Sequence, residues 1–126
     1  MDRYTTWIIA GSFFAALAVI FGAFGAHGLK SKVSPEDLII FETGVRYQMY
    51  HALGLVLLGL LGMITSFSIS QLPALFFVIG IIIFSGTLYL IPLTGIRWLG
   101  AITPIGGIAF IAGWFMLIYN ILISRY

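Results

Sequence analysis

"YQMYHALGLVLLGLLGMITSFSISQLPALFFVIGIIIFSGTLYLIPLTGI", residues 47–96, runs from Arg46 to Arg97 without one Asp, Glu, Lys or Arg. A membrane-spanning helix needs about 20 mostly apolar residues, so this stretch holds two, with a serine-rich turn at residues 66–71 between them. On either side of it, residues 4–29 and 98–124 are also free of charge, and each is long enough for one more span. The sequence thus predicts an all-α integral membrane protein, a four-helix transmembrane bundle forming a single domain over residues 1–126. The spans fall near residues 5–26, 47–65, 73–91 and 98–124. Composition points the same way: 61% of the residues are hydrophobic and only 8% charged, where soluble domains carry about 25%. The first apolar run exceeds the roughly 7–15 residues of a signal-peptide core, and the chain beyond it does not resemble a soluble mature protein, so it reads as a membrane helix. A net charge of +2 with no clustering argues against a nucleic-acid partner. The absence of cysteine removes disulfides and thiolate chemistry.

Prolines punctuate the helices. Ser34 reads as an N-cap, followed by Pro35 at the first helical position and the acids Glu36 and Asp37 in the first turn. Leu72-Pro73 is expected to open the third span, and Pro92 with Thr94-Gly95 to close it. The fourth either opens at Thr103-Pro104 or starts near Arg97 and kinks at Pro104; the apolar character of residues 98–102 favours the kink. Read from Pro35 to Thr65, the second helix is roughly 45 Å long against a hydrocarbon core of about 30 Å. Its first turns, up to Tyr47, are therefore expected to form an interfacial helical extension, bending at Gly44. Lys30, Lys32, Arg46 and Arg97 on one side outnumber Arg3 and Arg125 on the other, which places the loops in the cytoplasm and both termini outside.

Residues 41–51, "FETGVRYQMYH", concentrate what polar chemistry the chain has. Glu42 and Arg46 are one helical turn apart and flanked by Leu38, Ile39, Met49 and Tyr50, so they are expected to pair and face the bundle interior. Gly44, Tyr47, Gln48 and His51 form a second stripe, and His27 ends the first span on the same membrane side. The candidate polar cluster is His27, Glu42, Arg46, Tyr47, Gln48 and His51, either a binding site or a structural clasp. A histidine at a helix end also bonds terminal carbonyls, which is the plainer reading of His27. No pair of ligands has the spacing of a zinc motif, and no nucleophile-elbow or metalloprotease pattern surrounds the serines and histidines. The expectation is no metal, no cofactor and no catalytic residue. Ser85, Thr87 and Tyr89 offer hydroxyls for bonds between helices. Gly11, Ala15, Ala18, Gly22 and Gly25 form a small-residue stripe down the first helix, a packing face within the bundle or a dimer face; Gly106, Ala109 and Gly113 repeat the pattern in the fourth.

Four segments together, "GAFGAHGLK" (22–30), "FETGVRYQMYHALGL" (41–55), "FSGTLYL" with "LTG" (84–95) and "GAITPIGGIAFIAGW" (100–114), resemble the small membrane proteins of unknown function typified by YwdK and YgdD. The resemblance covers nearly the whole chain and implies a four-helix, multi-pass protein of the cell (plasma) membrane. It implies no activity. The expected function is non-enzymatic, as an accessory or small-ligand-binding membrane protein whose partners are the lipid bilayer and a second copy or another membrane protein. The rival is a conduit for protons or a small solute. Against the rival, the far side offers only serines and Gln71, and the two halves show no inverted repeat.

Overall fold

The computed structural model describes residues 2–124, so Arg125, counted above for orientation, lies outside the described residues. Four helices are long and apolar enough to cross a membrane, covering Arg3–Leu29, Pro35–Ile64, Ser68–Thr94 and Arg97–Ser124. Helix α1 (Arg3–Phe24) starts at Asp2, whose carboxylate accepts from the Thr5 backbone N–H at 2.8 Å and from the Thr5 hydroxyl at 2.7 Å. The backbone bond, then the hydroxyl, hold that carboxyl below the usual carboxylate range. A π-helical turn, Gly25–Leu29, prolongs α1 beyond the expected end of the first span. Helix α2 (Pro35–Ile64) begins as the sequence indicates: Ser34 Oγ accepts from the Asp37 N–H at 3.1 Å, with proline at the start of the helix. The bend expected at Gly44 gives way to an α-helix that runs on through it. Gly44 instead admits a neighbour, since a Cβ there would lie 2.9 Å from Tyr89 Cε1.

The third span corrects the sequence reading. Helix α3 (Phe67–Gly80) starts directly after Ser66, so the serine-rich residues expected to form a turn are its first turns, and Pro73 lies inside it. A proline in a helix interior removes the N–H that the carbonyl four residues back would use. That carbonyl belongs to Ile69, and it accepts instead from Asn120 Nδ2 at 3.0 Å. A second π-helical turn, Ile81–Ser85, leads into α4 (Gly86–Thr94). Pro92 is held within its last turn, and the helix ends at Gly95, whose φ of 73° is the left-handed region that glycine occupies without strain. The fourth span also differs from the favoured kink. A 3-10 turn, Arg97–Ala101, precedes α5 (Thr103–Ser124), placing Pro104 in the first α-helical turn where a missing N–H costs no bond.

Helix α1 lies along α2, α2 packs on α3 and α4, and α3 packs on α5. The two flanking helices, α1 and α5, make no extended contact with each other. Trp7, Leu55, Leu58, Ala74, Phe77, Ile81 and Phe110 form the apolar core. The small stripe of α1 faces α2: Gly11, Ala18 and Gly25 are buried and Ala15 and Gly22 half-buried. Glycine is needed because backbones meet there. A Cβ on Gly11 would sit 2.5 Å from the Ala52 carbonyl oxygen, and α2 reciprocates with Gly59, where a Cβ would sit 2.8 Å from the Tyr4 carbonyl oxygen. Without a hydrophobic effect between helices in lipid, such close approach supplies the attraction.

Candidate functional site

Gly44, Gln48, His51 and Leu55 recur at helical spacing and are all buried, marking the face of α2 turned toward the other spans. Gln48, 2% exposed, joins three spans: its Nε2 donates to the Phe14 carbonyl on α1 at 2.8 Å, and its Oε1 accepts from the Tyr89 hydroxyl on α4 at 2.6 Å. The Ser85 hydroxyl donates to the Gly44 carbonyl at 2.7 Å. One turn on, His51 Nε2 accepts from Trp114 Nε1 at 3.0 Å, and Nδ1 lies 2.8 Å from the Tyr47 carbonyl. An Nε2 that accepts carries no proton, so Nδ1 is the donor to Tyr47 and the ring is neutral. The imidazole stacks on Phe110 with centroids 3.6 Å apart and meets Phe77 edge-on at 5.0 Å.

Three other members of the six-residue cluster, Glu42, Arg46 and His27, fall elsewhere. Glu42 and Arg46 pair as expected, but loosely, at 3.8 Å, with side chains 38% and 62% exposed; they do not face the interior. At 100° per residue they lie on the arc of α2 roughly opposite Gln48, and long charged side chains there reach toward water instead of finding partners inside. His27 is exposed on the Gly25–Leu29 turn and shares no hydrogen bond or ring contact with the other five among the described residues. Tyr47 is 40% exposed. Its ring centroid is 6.4 Å from both His51 and Phe110, with near-parallel planes, so it lies beside that stack and not on top of it. The Tyr47 hydroxyl has no partner among the described residues.

Several partners were not legible in advance. Trp114 is one, because nothing in a sequence assigns a buried histidine its donor on another span. Thr87 and Thr103 hydroxyls meet at 2.6 Å between α4 and α5. The Asp37–Arg97 pair is the larger omission: Arg97 Nη1 and Nη2 donate to Asp37 Oδ1 and Oδ2 at 2.6 and 2.8 Å, a bidentate bond from the start of the fourth span to the first turn of α2. A signal existed, since both charges stand at span ends on the same membrane side.

Between α2 and α5 the rings leave a recess of about 360 Å³, lined by Tyr47, His51, Phe84, Gly107, Phe110, Ile111 and Trp114. The half-exposed Ile111, Tyr47 and Trp114 open it sideways, toward the bilayer. Gly107 borders free space, as a Cβ there would meet only Phe84 ring atoms at 3.7 Å. Its neighbour Gly106 is the opposite case, pressed against the Phe84 backbone. Among the described residues, no three His, Asp or Glu side chains converge to hold a metal.

The profile of a family described as "Protein of unknown function (DUF423)" matches residues 21–107. The chain belongs to this family. It is similar to the UPF0382 membrane protein SH2409 of Staphylococcus haemolyticus, with 50% identity over 114 residues, 90% of this chain and 93% of that one. It is also similar to UPF0382 membrane protein YwdK of Bacillus subtilis, 48% identical over 114 residues that cover 89% of this chain and 92% of YwdK. The UPF0382 membrane protein SSP2132 of Staphylococcus saprophyticus is 50% identical over 112 residues, 89% and 92% of the two chains. No solved structure matches. The resemblance to the YwdK family thus holds across most of the chain, and this DUF423 protein is a multi-pass protein of the cell membrane whose family function is unknown.

Proposed function

We propose that this DUF423 protein is non-enzymatic and works by binding a small membrane-dissolved molecule in the recess between α2 and α5. The observation that carries the reading is the recess itself: about 360 Å³, ring-walled and open to the side, within the roughly 300–1,000 Å³ of small-molecule sites. Further support comes from the polar side chains around it. Among the described residues no buried side-chain nitrogen or oxygen lacks a hydrogen bond, so Gln48, His51 and Ser85 serve as bonded supports and not as free reactive groups. The wholly buried apolar residues Leu55, Leu58 and Phe77 next to this network weigh against a conduit.

The test compares what copurifies with the wild-type chain and with Gly107→Leu, both extracted with native lipid and analysed by mass spectrometry. The leucine grows into free space, so the variant is expected to fold. A small molecule retained by the wild type and lost from the variant is the expected result. Identical extracts from the two would refute a binding role for the recess.

A further inference from the structure

We infer that the recess takes the flat ring of a quinone-class amphiphile, with the Tyr47 hydroxyl donating to a ring carbonyl. This rests on the binding role proposed above and names its ligand class. Two features of the lining select the chemistry. The first is that the walls are aromatic: Tyr47, Phe84, Phe110 and Trp114, with the His51 imidazole stacked on Phe110. Aromatic walls gain from a flat partner by offset or edge contact in a way that a saturated acyl chain does not return. The second is the donor inventory. His51 spends its one polar hydrogen on the Tyr47 carbonyl and Trp114 its own on His51 Nε2, which leaves the Tyr47 hydroxyl as the lining donor without a partner among the described residues. A guest that brings a carbonyl oxygen offers that hydroxyl the acceptor the protein does not supply. The volume, at the low end of small-molecule sites, has room for a fused ring system. An isoprenoid tail has its way out past Ile111, 58% exposed, into the bilayer. The quinone is bound here and not transformed: no electron or proton transfer is assigned to the recess.

The full chain in lipid nanodiscs, doped with a short-tailed naphthoquinone, is read by native mass spectrometry, with a saturated phospholipid of similar mass as the competing probe. Wild type is expected to retain one naphthoquinone per chain. Gly107→Leu, and separately Ile111→Trp in case the first variant fails to fold, should weaken retention by about tenfold or more. Tyr47→Phe keeps the ring but loses one hydrogen bond, for an expected loss of about threefold to tenfold. Retention of the phospholipid and not the quinone, with the phospholipid lost on Gly107→Leu, would overturn the ligand class while leaving the recess a binding site. Neither probe responding to the blocking variants would overturn both readings. Unchanged quinone retention in Tyr47→Phe would overturn the role of the hydroxyl.

Discussion

Helix α2 has two seams made by opposite means. Against α1 it offers glycine and receives glycine: Gly11 brings the α1 backbone onto the Ala52 carbonyl, and Gly59 brings α2 onto Tyr4 and Ile8. Against α5 it offers His51 and Tyr47 and receives Phe110 and Trp114, so rings hold the two backbones apart. The first seam is closed by direct backbone contact, and any added atom must move a whole helix. The second is bridged at a few points, with space left between the bridges. In a membrane, where apolar side chains gain nothing by leaving lipid, the size of the side chains at a seam thus decides whether helices seal or enclose room for a guest.

The largest expected effect tests the sealed seam. Gly11→Leu should cost about 3 kcal/mol, because the clash is with backbone that cannot rotate away. Unfolding in mixed micelles with rising SDS fraction measures it, and a loss as small as that of Gly107→Leu would erase the contrast between the seams. Next comes Gln48→Leu, which takes the acceptor from the Tyr89 hydroxyl and the second bond from the Phe14 carbonyl, and should cost about 2 kcal/mol. Adding Tyr89→Phe should recover part of that loss; strict additivity in the cycle would mean the bonds are not coupled. Smaller still is the Glu42–Arg46 coupling, under about 1 kcal/mol because both groups are substantially exposed. The same cycle on Asp37 and Arg97 should give the stronger coupling of the two, since that pair is bidentate and joins different spans. The smallest effect tests the open seam: Gly107→Ala should be stabilising by about 0.5 kcal/mol through helix propensity alone, while Gly106→Ala destabilises.

The spans, the Ser34 cap and the α1 stripe were legible because charge gaps, capping residues and helical spacing are local or periodic signals. Gly59 and Gly62 on α2 are three apart like members of the α1 stripe, yet the apolar run around them hides which side faces a neighbour. Pro73 misled for a physical reason. Pro73 reads as a helix start because sequence alone assigns the freed Ile69 carbonyl no donor from a residue far along the chain. The six residues of the polar cluster divide between two places for a similar cause. Spacing groups Glu42 and Arg46 on one arc of α2 and Gln48 and His51 on another, but only the packed neighbours reveal that the second arc is the inner one. The recess was not legible at all, since it exists only where residues of α2 and α5 fail to touch.

The bond from Asn120 to the Ile69 carbonyl sets an order in time. As the chain is made, α3 is complete well before α5 has been synthesised, and through that interval Pro73 leaves the Ile69 carbonyl without the helical donor it would otherwise have. Asn120 supplies the donor from α5. The third span is thus complete as a hydrogen-bonded helix only in company with α5: a chain in which α5 is undocked leaves the Ile69 carbonyl without its Asn120 donor.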